Sequence, residues 1–313
     1  MNEFEKHKGR FAQAGIYIGK LFRMFIYQSE WKVMPMAAVM TVLVALVVKK
    51  EMCATMEGTV QGSFALACIS IWNGMFNSIQ TVCRERPIIK REHRSGLHIS
   101  AYVMAQMIYQ AFLCLCQSCV MIAVLKAIGV KLPASAYITS VPLVDTLITL
   151  FLIGYAADMM ALFISSLVRN PMTAMTIMPF LLMFQLVFAG LFFELRGVAA
   201  KASDFTLTKS GVTALCAQSD YNKLPMATVW KTLSKMQNVE FEQEKPVKLI
   251  VDTIEEEGRK EEFMLKCGSE AQNENYKSDS KTISNCWFDL FFYALVFALL
   301  SMISLEFIDK DKR

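Results

Sequence analysis

The feature that most restricts the fold of this chain is a series of apolar segments, each about as long as a bilayer is thick. A helix needs about 20 mostly apolar residues to cross the hydrocarbon core of a membrane. Six segments of the 313-residue chain approach or exceed that length, at residues 31–48, 62–82, 102–128, 137–168, 172–193 and 286–308. With 54% hydrophobic residues, the composition also favours a polytopic membrane protein over a soluble domain. We predict an all-α membrane protein with six transmembrane helices.

The densest basic cluster lies between the second and third apolar segments, at residues 83–101. It contains five lysines and arginines between positions 84 and 94, and only two glutamates. Short loops rich in basic residues stay in the cytoplasm. We therefore predict a multi-pass protein of the cytoplasmic membrane with both termini in the cytoplasm. The polar stretch 194–285 between the last two spans then forms a large extracytoplasmic loop.

Four regions are predicted. Residues 1–30 form a cytoplasmic N-terminus with an amphipathic interfacial helix from about residue 15, and their polar start is unlike a cleaved signal peptide. Residues 31–193 hold five spans and the basic loop 83–101. Residues 194–285 form the outer loop, whose first part, 195–224, is expected to pack as short or re-entrant helices, and whose charged insertion, 230–281, is either helical or partly disordered. Residues 286–313 form the sixth span and a basic cytoplasmic tail.

Polar side chains inside the predicted spans are candidates for function. Asn73, Asn77 and Gln80 are spaced by four and three residues, which places them on one face of a helix and predicts that they face protein rather than lipid. Asp158 lies about ten residues from the inner end of the fourth span. An acid at that depth is costly and often functional, but a hydrogen-bonded packing residue is an equal alternative.

Cysteine, metal and nucleotide chemistry have little support in the sequence. Four of the nine cysteines, Cys68, Cys114, Cys116 and Cys119, lie in apolar segments, where cysteine behaves as a small hydrophobic residue. Cys216, Cys267 and Cys286 lie in or beside the outer loop, which leaves one disulfide among them open. The sequence contains no GxxxxGK[ST], GxSxG or HExxH motif. We therefore expect no catalytic residues, no bound metal or cofactor and no enzymatic activity in this chain.

The basic loop has two interpretations. It is either a topology signal alone, or a cytoplasmic helix that docks a partner protein, and its interleaved glutamates favour docking because a topology signal needs no acids. Nucleic acid is not expected as a partner, since no soluble fold with a basic face is present.

Three features of the chain resemble the transmembrane domain of ABC transporters of the G subfamily, the white/pigment type. The first is the run RERPIIKRE at residues 84–92, followed by Ser-Gly and Ser-Ala-Tyr. The second is the run SSLVRNP at residues 165–171, followed by Phe-Ala-Gly at 188–190. The third is the order of a surface helix, six spans and a large loop before the last span.

The resemblance implies the permease half of an ATP-driven exporter that moves an amphipathic or lipid-like substrate by alternating access. Such a permease works as a homodimer or heterodimer in the lipid membrane. Its ATPase binds ATP and Mg²⁺ and is normally fused before this domain. Because no ATPase motif is present here, a separate ABC ATPase subunit is implied.

The resemblance also implies roles for particular residues. It assigns ATPase coupling to Arg84, Glu85, Arg86, Lys90, Arg91 and Glu92. It assigns the lining of the substrate cavity to Asn73, Phe76, Asn77 and Gln80, with Met183, Gln185 and Leu186 opposite. It assigns an upper gate to Leu191 and Phe192. The alternative function is a non-transporting membrane sensor or assembly scaffold, which would use the outer loop to bind a ligand.

Overall fold

The computed structural model describes residues 9–27, 30–48, 51–190, 197–239 and 245–307. Within these ranges the regular structure is entirely helical. The helices are α1 Arg10–Tyr27, α2 Val33–Val48, α3 Met56–Ser78, α4 Thr81–Arg94, α5 Ile99–Ile128, α6 Pro142–Leu167, α7 Pro171–Val187, α8 Val198–Ser203, α9 Leu207–Gln218, α10 Ala227–Lys235, α11 Pro246–Glu256, α12 Lys260–Glu270 and α13 Ser280–Glu306. The predicted all-α class is confirmed for the described residues.

Three of the described helices are both long and apolar enough to cross a membrane, namely α5, α6 and α13. Helices α2 and α7 are apolar but shorter, with 16 and 17 residues. Helix α3 has 23 residues but carries several polar side chains on its buried side. The structure therefore establishes three helices of membrane-spanning character, and a total of six spans stays a prediction.

Helix α6 occupies the centre of the bundle. It packs most extensively against α3 and α13, and it also contacts α5 and α9. Most of its residues are buried. At about 1.5 Å per residue its 26 residues extend roughly 39 Å, so its two ends define opposite ends of the molecule. Helices α1 and α2 lie outside this centre and pack against α5.

Two glycines let α3 and α6 approach each other at backbone distance. A Cβ atom added at Gly74 would lie inside van der Waals contact with the Gly154 carbonyl oxygen and 2.9 Å from its carbonyl carbon. In the opposite direction, a Cβ atom at Gly154 would lie 3.4 Å from the Ser70 carbonyl oxygen, which is ordinary contact. Small residues at helix crossings are typical of membrane bundles, because they let the backbones pack closely. The crossing therefore requires a glycine at position 74 more strictly than at position 154.

The predicted span 62–82 is wrong at both ends. Helix α3 begins earlier, at Met56, because the side chain of Thr55 accepts a hydrogen bond from the Gly58 amide and caps the first turn. It ends at Ser78, and Val82 belongs to α4.

The other predicted boundaries shift for local reasons. Helix α6 begins at Pro142 rather than at residue 137, since the backbone amides of Tyr137, Ile138 and Thr139 all donate to the Asp145 carboxylate. Helix α7 ends at Val187, before the predicted end at residue 193, and residues 191–193 lie outside the described ranges. Helices α1, α5 and α13 start earlier than predicted, at residues 10, 99 and 280 respectively. Helix α2 starts two residues later than predicted, at residue 33.

The described part of the segment 195–224 forms short helices, as predicted, and residues 195 and 196 lie outside the described ranges. Whether these helices re-enter the membrane stays a prediction. Helix α9 is buried against α13, α3 and α6. The charged insertion contains α10, α11 and α12, so its described part is helical, whereas residues 240–244 lie outside the described ranges. The Glu57 carboxylate on α3 accepts hydrogen bonds from the amides of Ala227 (3.1 Å) and Thr228 (2.8 Å), which caps α10 and fixes the insertion to the start of α3.

The cysteines in this region carry free thiols. Cys216 and Cys286 are buried and Cys267 is half-buried, and the structure forms no disulfide among them. The disulfide left open by the sequence is therefore not formed in this structure.

The helix crossing gives the first prediction. We expect Gly74→Ala to lower the free energy of unfolding by about 1–3 kcal/mol, because the new methyl group separates α3 from α6 or strains their backbones. Gly154→Ala is the matched control and should cost clearly less. Chemical or thermal unfolding in detergent micelles, followed by tryptophan fluorescence, measures both. Equal losses in the two variants would contradict the proposed asymmetry of the crossing.

Candidate functional site

The first turn of α4 is held by the C-terminal end of α6. Ser165 Oγ accepts hydrogen bonds from the backbone amides of Val82 (3.1 Å) and Cys83 (3.2 Å). A helix leaves four amides without a partner at its N-terminus, and a hydroxyl group usually satisfies one of them from within the same segment. Here the hydroxyl comes from another helix. The start of α4 is therefore tied to α6, in addition to the hydrogen bond that Thr81 Oγ1 donates to the Asn77 carbonyl oxygen (3.1 Å) at the end of α3.

Two of the predicted ATPase-coupling residues contact the chain itself. Arg86 donates from Nη1 to the carbonyl oxygens of Ser166 (2.8 Å) and Val168 (3.2 Å), at the C-terminal end of α6. Glu85 accepts a hydrogen bond from Tyr102 Oη on α5 (3.0 Å). These side chains therefore connect α4 to the two helices beside it, whatever else they contact.

The opposite face of α4 is exposed. Arg84, Pro87, Ile88 and Arg91 recur at intervals of three and four residues, which is one face of a helix. This set, here called the outer face of α4, combines two permanent positive charges with an apolar centre. Such a surface is complementary in charge to an acidic protein partner, and its apolar centre would be buried by the contact.

The last two predicted coupling residues, Lys90 and Glu92, are half-buried at the edge of α4. One carboxylate oxygen of Glu92 is buried without a hydrogen-bond partner among the described residues. Burial accordingly raises the pKa of Glu92 above its usual value. The basic loop thus contains the helix α4, with four of the predicted coupling residues turned inward or half-buried and two turned outward. Its cytoplasmic location stays a prediction.

A chain of polar contacts joins α1, α4 and α5. Lys20 Nζ on α1 lies 3.7 Å from Glu85 Oε1, whose other oxygen accepts from Tyr102 Oη. Gln106 Nε2 donates in turn to Tyr102 Oη (3.3 Å). Because Tyr102 uses its hydrogen for Glu85, it acts as acceptor for Gln106. Helix α1 is therefore linked to α4 and α5 by charge and hydrogen bonds.

A second polar cluster is buried between α3, α5 and α6, next to the glycine crossing. Asp158 Oδ2 accepts from Asn77 Nδ2 (3.4 Å) and from Cys114 Sγ (3.3 Å). Asn77 and Gln117 exchange two amide hydrogen bonds, of 3.0 and 3.1 Å. The cluster brings together three helices through side chains that lie far apart in the sequence.

Asp158 is fully buried in this cluster. It forms no ion pair with any described residue, and its Oδ1 atom has no hydrogen-bond partner among them. A buried acid without a cation is costly when ionised. Both sequence interpretations of Asp158 therefore find a physical basis, because the residue is hydrogen-bonded like a packing group and yet retains an unpaired oxygen.

The predicted cavity residues on the second span do not act as one face. Asn73 is buried, with Nδ2 3.9 Å from the sulfur of Met121 on α5. Phe76 and Asn77 lie one turn further along, and Gln80 lies beyond the end of α3, at the break before α4. Phe76, Asn77 and Gln80 line a common cleft. The helical spacing predicted that Asn73 and Asn77 would point towards the protein, and in the structure they do. Gln80 does not share this face because it lies beyond the end of α3.

The predicted residues on the fifth span divide differently. Gln185 is buried, and its Oε1 accepts from the Leu207 amide (2.8 Å), which anchors the start of α9. Met183 is exposed and Leu186 is half-buried on α7. Within one chain they do not line the cleft that contains Phe76. The predicted gate residues, Leu191 and Phe192, lie outside the described residues.

The cleft itself has a volume of about 380 Å³ and lies between α1, the α3–α4 break and α5. Its lining is mixed, with apolar side chains from α1, α3 and α5 and polar ones around the break. The lining residues are Leu21, Met24, Val33, Phe76, Asn77, Gln80, Thr81, Arg84, Glu85, Ile88, Gln106, Tyr109, Gln110 and Leu113. A cleft of this size and lining can hold a small ligand or part of a larger one.

Sequence reasoning missed the structural role of Ser165 and of Tyr102. Both residues stand in the runs that carry the family resemblance, but their partners are at residues 82–83 and 85. The one sequence signal for these roles is a hydroxyl group at an end of an apolar segment, since Ser165 lies near the end of segment 137–168 and Tyr102 begins segment 102–128. Among the described residues, no three His, Cys, Asp or Glu side chains come together as a metal site requires.

Comparison with known proteins gives one match. The family model described as ABC-2 type transporter matches residues 20–202, which is more than half of the chain. The matched region runs from α1 to α8 and contains α4, the buried cluster and the cleft. A search of curated proteins found no match.

The buried cluster gives the second prediction. Asp158→Asn keeps an acceptor oxygen for Asn77 and Cys114 and removes the ionisable group, so we expect the free energy of unfolding to stay equal or rise. Asp158→Leu leaves both donors without that acceptor, and we expect a loss of about 1–3 kcal/mol. Unfolding in detergent measures both variants. A larger loss for Asp158→Asn than for Asp158→Leu would show that the charge itself stabilises the fold.

Proposed function

The chain belongs to the ABC-2 type transporter family, and we propose that it is the permease subunit of a G-subfamily exporter driven by a separate ABC ATPase. The family makes it a multi-pass membrane permease of ABC transporters. The G-subfamily assignment is supported by the runs at residues 84–92 and 165–171 and by the order of the helices. ATP and Mg²⁺ are proposed to bind to the partner subunit, since this sequence contains no phosphate-binding loop.

We propose six spans, formed by α2, α3, α5, α6, α7 and α13. Helix α3 contributes its polar residues to the bundle interior, which explains why its composition is less apolar than that of α5. The basic loop 83–101 lies in the cytoplasm, and the segment 194–285 lies outside the cell membrane. Two observations support this orientation: α4 lies at the C-terminal end of α6, and the insertion is fixed to the start of α3 at the opposite end.

The observation that carries the proposal is the two-sided construction of α4. Its outer face presents Arg84, Ile88 and Arg91, whereas its inner side is tied to α6 through Ser165 and Arg86. A displacement of α4 by an ATPase would therefore move the end of α6, and α6 packs against most of the bundle. This is how a nucleotide-driven movement could reach the membrane helices.

A second copy or a related permease half is proposed to complete the transporter. Helix α7 exposes Met172, Phe180, Met183 and Phe184 along its length. In a membrane such an apolar face contacts either lipid or another helix, and the resemblance places the second half there. The substrate is proposed to be amphipathic or lipid-like, in keeping with the mixed polar and apolar lining around Phe76 and Asn77.

The coupling role gives the third prediction. We expect Arg91→Glu to reduce the ATPase that copurifies with the permease, and to reduce substrate-stimulated ATP hydrolysis, by roughly tenfold, which corresponds to about 1.4 kcal/mol of lost interface energy. The side chain is exposed, so the fold should be unaffected. Arg84→Glu should act in the same way.

Lys131→Glu is the matched control, because Lys131 is an exposed basic residue in the loop before α6, at the end of the molecule opposite to α4. It should leave both measurements unchanged. An unaltered ATPase complex in the double variant Arg84→Glu, Arg91→Glu would overturn the docking role of α4. Ligand binding to segment 230–281 without any ATPase partner would favour a sensor instead.

A further inference from the structure

A larger cavity lies at the end of the bundle opposite to α4, between α8, α9, the single helical turn Glu274–Tyr276 and the first part of α13. Its volume is about 710 Å³, compared with about 380 Å³ for the cleft beside α1. Pockets of this size hold small molecules or short chain segments. The lining residues are Ala189, Gly190, Ala200, Lys201, Ser203, Asp204, Lys209, Ser210, Val212, Thr213, Asn273, Asn275, Tyr276, Cys286 and Asp289.

The composition of this lining favours a water-soluble ligand. Its aliphatic members are small, and the largest of them is Val212. No Leu, Ile, Met, Phe or Trp stands among the described lining residues. An acyl chain needs apolar surface to bury against, and this cavity offers little. The outer cavity, as we call it, therefore differs in kind from the cleft beside α1.

Two opposite charges in the outer cavity lack partners. Lys209 Nζ is already paired, at 2.6 Å from Asp204 Oδ1 and 3.1 Å from Ser203 Oγ. The side chains of Lys201 on α8 and Asp289 on α13 form neither an ion pair nor a hydrogen bond with any described residue. Both residues are exposed, so a ligand can reach them without breaking another contact. The cavity thus offers one cation and one anion on separate helices.

The groups between these charges are neutral and able to form hydrogen bonds. The hydroxyl groups of Ser210, Thr213 and Tyr276 have no hydrogen-bond partner among the described residues. They are absent from the enclosed unpaired atoms of the structure and are therefore accessible to water-sized molecules. A hydroxyl group both donates and accepts, and a peptide unit carries one donor and one acceptor. The lining can therefore pair with backbone amides.

Hydrogen bonds hold the walls of the outer cavity in place. Tyr293 Oη on α13 donates to the Asp204 carbonyl oxygen at the end of α8 (2.8 Å). Asn222 donates from Nδ2 to the Asn273 carbonyl oxygen (3.1 Å) and accepts from the Asn273 amide (2.9 Å). A site that is already formed costs a ligand less ordering of the protein.

We propose that the outer cavity binds a short peptide with free termini, its carboxylate on Lys201 and its ammonium group on Asp289. An uncharged sugar would leave both charges unpaired, and a single amino acid would leave most of the volume empty. Polar lining and paired charges set this ligand apart from the lipid-like substrate proposed above. The extracytoplasmic position of the site rests on the proposed topology, whereas binding itself does not.

The test compares peptides that differ only at their ends. The probe is an equimolar mixture of tetrapeptides with randomised side chains and free termini. The reference is the same mixture acetylated at the N-terminus and amidated at the C-terminus. Equilibrium dialysis against the purified full chain in nanodiscs, read by mass spectrometry, measures retention. We expect the free mixture to be retained over the blocked one by roughly tenfold or more, the factor that one charged hydrogen bond supplies.

Two variants assign the ends of the peptide. Lys201→Gln should lose the preference for a free carboxylate, measured with peptides amidated only at the C-terminus, and keep the preference for a free amine. Asp289→Asn should do the reverse, measured with peptides acetylated only at the N-terminus. Lys235→Gln is the matched control, because Lys235 is an exposed lysine on α10 outside the cavity. It should change neither preference.

Three results would overturn the proposal. The first is equal retention of the free and blocked mixtures by the wild-type chain, or retention of neither. The second is an unchanged preference in Lys201→Gln or in Asp289→Asn. The third is a lower unfolding temperature in either variant, since an unpaired side chain should be replaceable without loss. Because no measurement uses ATP or transport, the peptide site can fail while the proposed export function stands, and the reverse also holds.

Discussion

The backbone contact between α3 and α6 at Gly74 and Gly154 is the constraint on which the rest of this structure depends. It brings two helices so close that no side chain can separate them at position 74. Asp158 follows Gly154 by one turn, and its carboxylate therefore meets Asn77 across the crossing. In a membrane, where lipid is as apolar as the side chains, such close packing and buried hydrogen bonds replace the hydrophobic effect as the source of helix association.

The same pair of helices determines where α4 can lie. Helix α3 ends four residues after Gly74, and α6 continues past that point to Ser165. The Ser165 hydroxyl then receives the first amides of α4 and turns the chain across the end of the bundle. Under the proposed coupling, a displacement of a helix held in this way would also move the end of α6. Its outer face is free to carry charges for a partner, because its inner residues already fix its position.

The cleft and the buried cluster show two ways of treating polar groups at membrane depth. In the cluster, Asn77 and Gln117 satisfy each other, which favours one arrangement of α3 and α5. On α5, Gln106 and Gln110 each bury an Oε1 atom that has no hydrogen-bond partner among the residues the structure describes. Full pairing stabilises the protein, whereas each buried acceptor without a partner costs about 1–3 kcal/mol.

Several features followed from local chemistry and could be predicted. Apolar segments of bilayer length predicted the helices α5, α6 and α13, and the mixture of bases and acids at 84–92 predicted the helix α4. Asp158 was singled out because an acid at membrane depth is expensive in any fold. Boundaries were less well predicted, as at the end of α3, since hydropathy continues through Val82 while the helix stops.

The sequence alone determined the helical class, the family and the identity of the candidate residues, because periodicity, composition and motif are local properties of the chain. Only the tertiary structure decided which of these residues meet. Ser165 Oγ accepts a hydrogen bond from the Cys83 amide, 82 positions away, and Asn77 pairs with Gln117 from another helix. Such contacts depend on how the helices are arranged around Gly74 and Gly154. A single sequence contains the groups but not the distances between them.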